Sequence, residues 1–186
     1  VSLERQGEAA KLYDRAIQIA AESPEAADRV WTLWLLKGSA LDRSGDWAGA
    51  KPALEKAVAL SPSQPVALNY LGYAQLERRE NVKAAMALIE QASALKPDDP
   101  AITDSLGWAH YLTGNVQRAI PALERAVQGQ PSDATINEHL GDAYWAAGRK
   151  YEARYAWRAA AVFADTADLA ARVKAKVENG FTPALA

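Results

Sequence analysis

Hydrophobic residues recur along this chain at the spacing of α-helices. Leu169, Val173 and Val177 repeat every four residues while Lys174, Lys176 and Glu178 stand between them, which predicts a helix with one packed side and one wet side. Trp31 and Trp34, three apart, share a helical face and are expected to pack against the preceding helix. Helices are predicted over residues 3–21, about 25–43, 47–60, 65–78, 82–95, 100–112, 116–128, 134–147 and 150–163. A last one is capped by Asp165-Thr166 and stopped at Asn179-Gly180. Ser23-Pro24-Glu25 reads as a helix start, with proline in the first turn and an acid near the positive end of the dipole. Asp98-Asp99-Pro100 reads the same way, not as a calcium loop, because ligands at further alternate positions are missing. Gly45-Asp46 turns the chain and Ser61-Pro62-Ser63 closes a helix. Pro52 and Pro121 fall early within their helices, where the cost of a mid-helix proline, about 3 kcal/mol, is tolerable.

A longer period is laid over the helical one. Leu106-Gly107-Trp108-Ala109, with Gly114 beyond it, is restated 34 residues downstream as Leu140-Gly141-Asp142-Ala143 with Gly148. It is restated 35 residues upstream as Leu71-Gly72-Tyr73-Ala74, and 34 before that as Lys37-Gly38-Ser39-Ala40 with Gly45. Alanine pairs keep the same register: Ala50 and Ala57, Ala85 and Ala92, Ala119 and Ala126, Ala153 and Ala160. Pro62, Pro97 and Pro131 follow the first three pairs, and Asp165 stands in the fourth such slot. A fixed period in the thirties is the signature of a solenoid.

These glycines, alanines and prolines resemble the tetratricopeptide repeat, in which a glycine lets two antiparallel helices approach closely. The resemblance implies an all-α, right-handed superhelical solenoid of antiparallel helix pairs, forming a single domain. Its parts are a half repeat over 1–24, repeats over 25–63, 64–98, 99–132 and 133–164, a capping helix over 165–180 and a tail over 181–186. Lys37 departs from the leucine usual before the glycine, and one inserted residue in Leu76-Glu77-Arg78-Arg79-Glu80 removes the second glycine. Ala9 and Ala16 mark residues 3–21 as a second helix without its first, so further repeats are expected upstream in the parent protein. Leu12, Ile17 and Ile19 there predict a sticky face open to self-association.

Composition narrows the function. The chain has 186 residues and a net charge of −2, which supplies no long-range attraction for nucleic acid or anionic lipid. The absence of cysteine excludes disulfides and cysteine-based zinc sites. No apolar run reaches the roughly 18 residues of a membrane span. No nucleophile with its base, phosphate-cradling loop or cluster of metal ligands stands at usable spacing. The reading is therefore not an enzyme, with no catalytic residue, no metal and no cofactor. His110 is expected to fill space between helices and His139 to be displayed towards a partner.

In the family, the first helix of each pair lines a concave groove. Carried onto this chain, that face offers Asn69, Tyr70, Tyr73, Asp104, Trp108, Tyr111, Glu138, His139, Asp142 and Trp145. The set is aromatic and acidic. It lacks the Lys and Arg with which carboxylate-clamp members hold a peptide's terminal carboxylate, and Asp104 and Glu138 oppose an acidic chain end. A scaffold for a neutral or basic peptide or helix follows, centred on Tyr73, Trp108, Tyr111 and Trp145. Asp104-Ser105-Leu106-Gly107-Trp108 and His139-Leu140-Gly141-Asp142-Ala143-Tyr144-Trp145 also resemble the C-terminal repeats of bacterial envelope tetratricopeptide lipoproteins, some of which are adaptors for periplasmic proteases. That resemblance implies a segment of a larger adaptor, periplasmic or outer-membrane-associated in preference to cytoplasmic.

Overall fold

The computed structural model describes residues 3–22 and 28–180. The Ser23-Pro24-Glu25 helix start and the 181–186 tail lie outside the described residues. The helices in chain order are α1 (Leu3–Ala21), α2 (Val30–Arg43), α3 (Trp47–Leu60), α4 (Pro65–Glu77), α5 (Val82–Leu95), α6 (Pro100–Leu112), α7 (Val116–Gly129), α8 (Ala134–Ala146), α9 (Lys150–Phe163) and α10 (Ala167–Asn179). No strand occurs among the described residues.

Short polar residues start these helices by satisfying orphan backbone N–H groups. Asp99 accepts from the N–H groups of Ala101 and Ile102 at 3.0 and 3.2 Å, with Pro100 opening the helix behind it. Asp46, Asn115, Asp133 and Thr166 cap α3, α7, α8 and α10 in the same manner. Pro52 and Pro121 stay inside α3 and α7, both on the exposed side, where a carbonyl that loses its helical donor can bond to water.

The pairs α2/α3, α4/α5, α6/α7 and α8/α9 are antiparallel hairpins, closed at a glycine. A Cβ on Gly38 or Gly107 would stand 2.6 or 2.7 Å from the Cγ of Leu54 or Leu123. On Gly72 it would stand 2.8 Å from the Ala85 carbonyl oxygen, and on Gly141 2.3 Å from Trp157 Cδ1. All eight alanines of the repeating pairs are 0 % exposed, so their smallness sets the distance between neighbouring helices. Core clusters are strung along the axis from Leu35, Leu54 and Leu71 at one end to Ala160, Leu169 and Val173 at the other. That is the nearest-neighbour burial of a solenoid.

The inner side of the curve is set by the first helices. α4 packs on α6 and α6 on α8, whereas no comparable contact joins α5 to α7 or α7 to α9, so the second helices splay outward. Three hairpin turns use Gly45, Gly114 and Gly148 at φ of +86°, +79° and +80°. The turn with the inserted residue has no glycine and instead holds Arg79 and Asn81 left-handed, at φ of +52° and +49°.

Candidate partner-binding groove

α2, α4, α6 and α8 together line a concave surface with two adjoining hollows. The first, of about 340 Å³, lies among Asp42, Asn69, Tyr70, Tyr73, Ala74, Ala101, Asp104, Ser105, Asp133, Thr135 and Ile136. Most of its polar atoms are already engaged. The Tyr70 hydroxyl donates to Asp42 at 3.1 Å, Arg78 pairs with the other oxygen of Asp42 at 2.5 Å, and Ser105 donates to the Ala101 carbonyl. Asn69 differs: its side-chain oxygen is shut off from water and has no hydrogen-bond partner. Burial pushes the Tyr73 hydroxyl well above the usual phenol range, with Glu77, Asp104 and Glu138 acting in the same direction.

The second hollow, of about 290 Å³, is charged and is lined by Tyr73, Glu77, Trp108, Thr135, Glu138, His139, Asp142, Arg172 and Lys176. Here the expectation that Asp104, Glu138 and Asp142 offer an acidic face to a partner needs correction. Asp104, Glu138, His139 and Asp142 are only 3 to 6 % exposed, and each has a partner. His139 Nδ1 meets both Asp104 oxygens at 3.0 Å. Arg172 makes a two-pronged contact with Glu138 at 2.7 Å, and Lys176 bridges Glu138 at 2.6 Å and Asp142 at 2.7 Å. Trp157 Nε1 also donates to Asp142 at 2.9 Å. Burial opposes ionisation of Glu138, but Arg172 and Lys176 overcome it and hold the carboxyl at about 2. At Asp142 burial prevails over Lys176 and raises the pKa.

Two of the predicted groove aromatics turn away from it. Tyr111 is 2 % exposed, in a cluster with Leu123, Leu140 and Ala143. Trp145 packs against Trp157 with ring centroids 5.2 Å apart and lies under the end of α10, where a Cβ on Gly180 would meet it at 2.1 Å. Trp108 stays on the concave side but is stacked, 4.7 Å from Tyr111 and 3.9 Å from His139, while its Nε1 donates to Glu77. Asn69, Tyr70, Tyr73 and Asp104 are brought together around the apolar hollow. His139 is not displayed but buried beneath Trp108, whereas His110 is half-buried beside α7. Arg172 and Lys176 are the residues that sequence reasoning missed. Lys176 was expected on the wet side of α10, yet its side chain is only 12 % exposed. Its four-residue spacing from Arg172, matching that of Glu138 and Asp142, was the available signal.

Among the described residues no group of three or more His, Cys, Asp or Glu is placed to hold a metal ion. No described helix is long and apolar enough to cross a membrane.

No curated protein matches the chain in sequence. Among solved structures, the chain is similar to TTC0263, a thermophilic TPR protein in Thermus thermophilus, at 21 % identity and a TM-score of 0.73, over 95 % of this chain and 92 % of that one. YrrB, described as a TPR protein with an unusual peptide-binding site, matches at 18 % identity and a TM-score of 0.63, over 88 % of this chain and 84 % of that one. MamA from Desulfovibrio magneticus RS-1 matches at 24 % identity and a TM-score of 0.61, over 87 % and 99 %. At these identities the likeness is one of fold. The tetratricopeptide repeat family model matches residues 35–100 and 105–168, which together make up most of the chain. With the buried alanines and the glycines at every hairpin, this places the chain in the tetratricopeptide repeat family.

Proposed function

We propose that this protein is a non-catalytic scaffold that holds a peptide segment of a partner in the hollow between α4, α6 and α8. The tetratricopeptide fold is that of a protein-interaction scaffold, and a peptide-binding site is described for YrrB. The observation that carries the reading here is the Asn69 oxygen, buried and unpaired at the wall of an apolar hollow. A buried acceptor without a donor is costly, so Asn69 gains by turning its amide into the hollow, where a backbone N–H of a bound segment supplies the missing partner. Tyr70 and Tyr73 then flank a side chain of that segment, and rigid aromatics give contact area at low entropic cost. Neutral or basic segments fit better than acidic ones: Asp42 and Asp104 are already paired, and Glu77 is the exposed carboxylate nearby.

The test is selection of binders from a random peptide library displayed on phage, followed by affinity measurement on the purified chain. Selected peptides should carry an apolar residue and should lose roughly thirtyfold or more in affinity with Tyr73→Ala, as losing a hot-spot aromatic typically costs about 2 kcal/mol or more. Peptides that bind Tyr73→Ala and the native chain equally would move the working surface elsewhere.

A further inference from the structure

The outward stripe of the second helices changes character in the last repeat. In α3 it is Ala48, Pro52, Glu55 and Ala59; in α5, Lys83, Ala87, Glu90 and Ala94; in α7, Gln117, Pro121, Glu124 and Gln128. In α9 the same slots hold Tyr151, Tyr155, Arg158 and Val162. Two small or polar positions have become tyrosines, and the glutamate of the other three repeats has become an arginine. The four lie within one narrow face, since steps of 4, 3 and 4 follow the helical period. Tyr151, Tyr155 and Val162 are 75, 58 and 76 % exposed, so none contributes to the core that the other side of α9 forms with Trp157 and Ala160.

Charge follows the same trend. α7, Arg149 and α9 together carry six cations and two carboxylates, in a chain whose net charge is −2. Both carboxylates are occupied, Glu124 by Tyr144 and Arg149, and Glu152 by Arg149. Lys150, Arg154 and Arg158 make no ion pair with a carboxylate among the described residues; Lys150 donates to the Trp145 carbonyl and Arg154 to the Val177 carbonyl, both over the Trp145 ring, whereas Arg158 lies over Tyr155 at 5.7 Å. The result is an aromatic and aliphatic ridge that carries the Arg158 cation, with Lys150 and Arg154 on its α10 side, facing away from the groove.

From this we infer that the outer face of α9 docks the protein onto an anionic membrane surface, with the groove turned towards the aqueous side. Tyrosine suits the headgroup level, Val162 the boundary with the acyl chains, and the long Arg158 side chain reaches lipid phosphates. One helix stripe is too narrow for a stable protein interface of about 800 Å² per partner, and its α7 neighbour is polar, whereas a bilayer imposes no shape requirement. Single-stranded nucleic acid fits less well. The Tyr151 and Tyr155 rings are tilted by 56° to each other, so they form no flat stacking platform, and Val162 offers nothing to phosphate or base.

The experiment is co-sedimentation of the full chain with phosphatidylcholine vesicles and with vesicles holding about 30 % phosphatidylglycerol, at low and high salt. This inference stands apart from the groove, so the library peptide is left out. Binding is expected with the anionic vesicles alone and should fall at high salt. Arg158→Glu, which restores the residue of the other repeats, should weaken it by more than about tenfold, since each cation near such a surface contributes about fivefold. Tyr151→Ser with Tyr155→Ser should weaken it as well, and neither variant should alter the melting curve. The inference is overturned if the anionic vesicles are not bound, or if both variants bind them as the native chain does. It is equally overturned if the face supports only a dimer, or only binding to oligothymidine, that these substitutions abolish.

Discussion

His139 Nδ1 stands 3.0 Å from both carboxylate oxygens of Asp104, in a contact that joins two successive repeats beneath the groove. Burial disfavours the charged imidazole, but the Asp104 carboxylate outweighs it, with Asp142 and Glu77 assisting, and the pKa of His139 is raised. A raised folded-state pKa means that the stabilisation is fully present below the unfolded value of about 6.5 and is lost as pH rises through the folded value. His110 runs the other way, because burial and Arg118 lower its pKa.

The two histidines should therefore titrate on opposite sides of the ordinary value. Imidazole resonances followed by NMR against pH should show His139 titrating above His110. Asp104→Asn should bring His139 down and remove its share of the fall in melting temperature at rising pH. An unshifted His139 in that variant would mean that another group holds the proton.

The acid cluster makes a second pH prediction with the opposite sign. Glu138 has a folded-state pKa of about 2, so its stabilisation is present above the unfolded value of about 4.5 and is lost as pH falls from there towards 2. Arg172 and Lys176 belong to α10, whose end covers Trp145, so its docking should loosen in that window. Trp145 can report this through fluorescence in a chain whose other tryptophans are replaced where stability permits. Lys176→Ala should cost about 3 kcal/mol, as removing one member of a buried ionic cluster commonly does. Adding Glu138→Gln and Asp142→Asn should recover much of that loss.

The hairpin glycines are steric necessities. Gly107→Ala forces a Cβ to within 2.7 Å of Leu123 Cγ, and Gly141→Ala to within 2.3 Å of Trp157, which is fully buried. Overpacking of this kind costs about 1–3 kcal/mol, and Gly141→Ala should be the worse of the two because an indole yields less than a leucine. Chemical denaturation of both variants beside Ala87→Ser, an exposed control, measures the difference.

Repetition made the fold legible, and it misled at the groove in one definite way. The glycine and alanine slots could be read because each appears four times, and packing leaves them no alternative size. Tyr111 and Trp145, each four residues after the glycine of its repeat, were assigned to the groove, yet Tyr111 is 2 % exposed and Trp145 packs on Trp157. A helical face includes its own edge, and at that edge the next repeat, not the helical period, decides which way a side chain turns. The state of the acids was harder to read for a different reason: their cations reach them from a helix more than 30 residues away, and only the matching four-residue spacings hint at the pairing.

The turn that lacks its glycine offers a gain in stability. Arg79 adopts φ of +52°, a conformation that glycine takes without strain. Left-handed geometry costs a residue with a Cβ about 1–2 kcal/mol, of which the greater unfolded-state freedom of glycine returns part. Arg79→Gly should raise the unfolding free energy by up to about 1 kcal/mol, read from urea titration, with no change in the slope against denaturant.

Asn69 should separate stability from binding. Its buried oxygen has no partner in the free protein, and such a group costs about 1–3 kcal/mol relative to a satisfied one. Asn69→Leu, close to it in shape, removes that penalty and places an apolar side chain against a hollow that is already apolar. The melting temperature should stay level or rise. Affinity for a library-selected peptide should fall, because the donor that the peptide offers no longer has an acceptor. Tyr73→Ala differs in that it removes packing as well, so it should lower both stability and affinity. Thermal melts and titrations of the two variants form the comparison. A destabilised Asn69→Leu would show that the oxygen is satisfied in solution, and an unchanged affinity would show that the bound segment does not reach it.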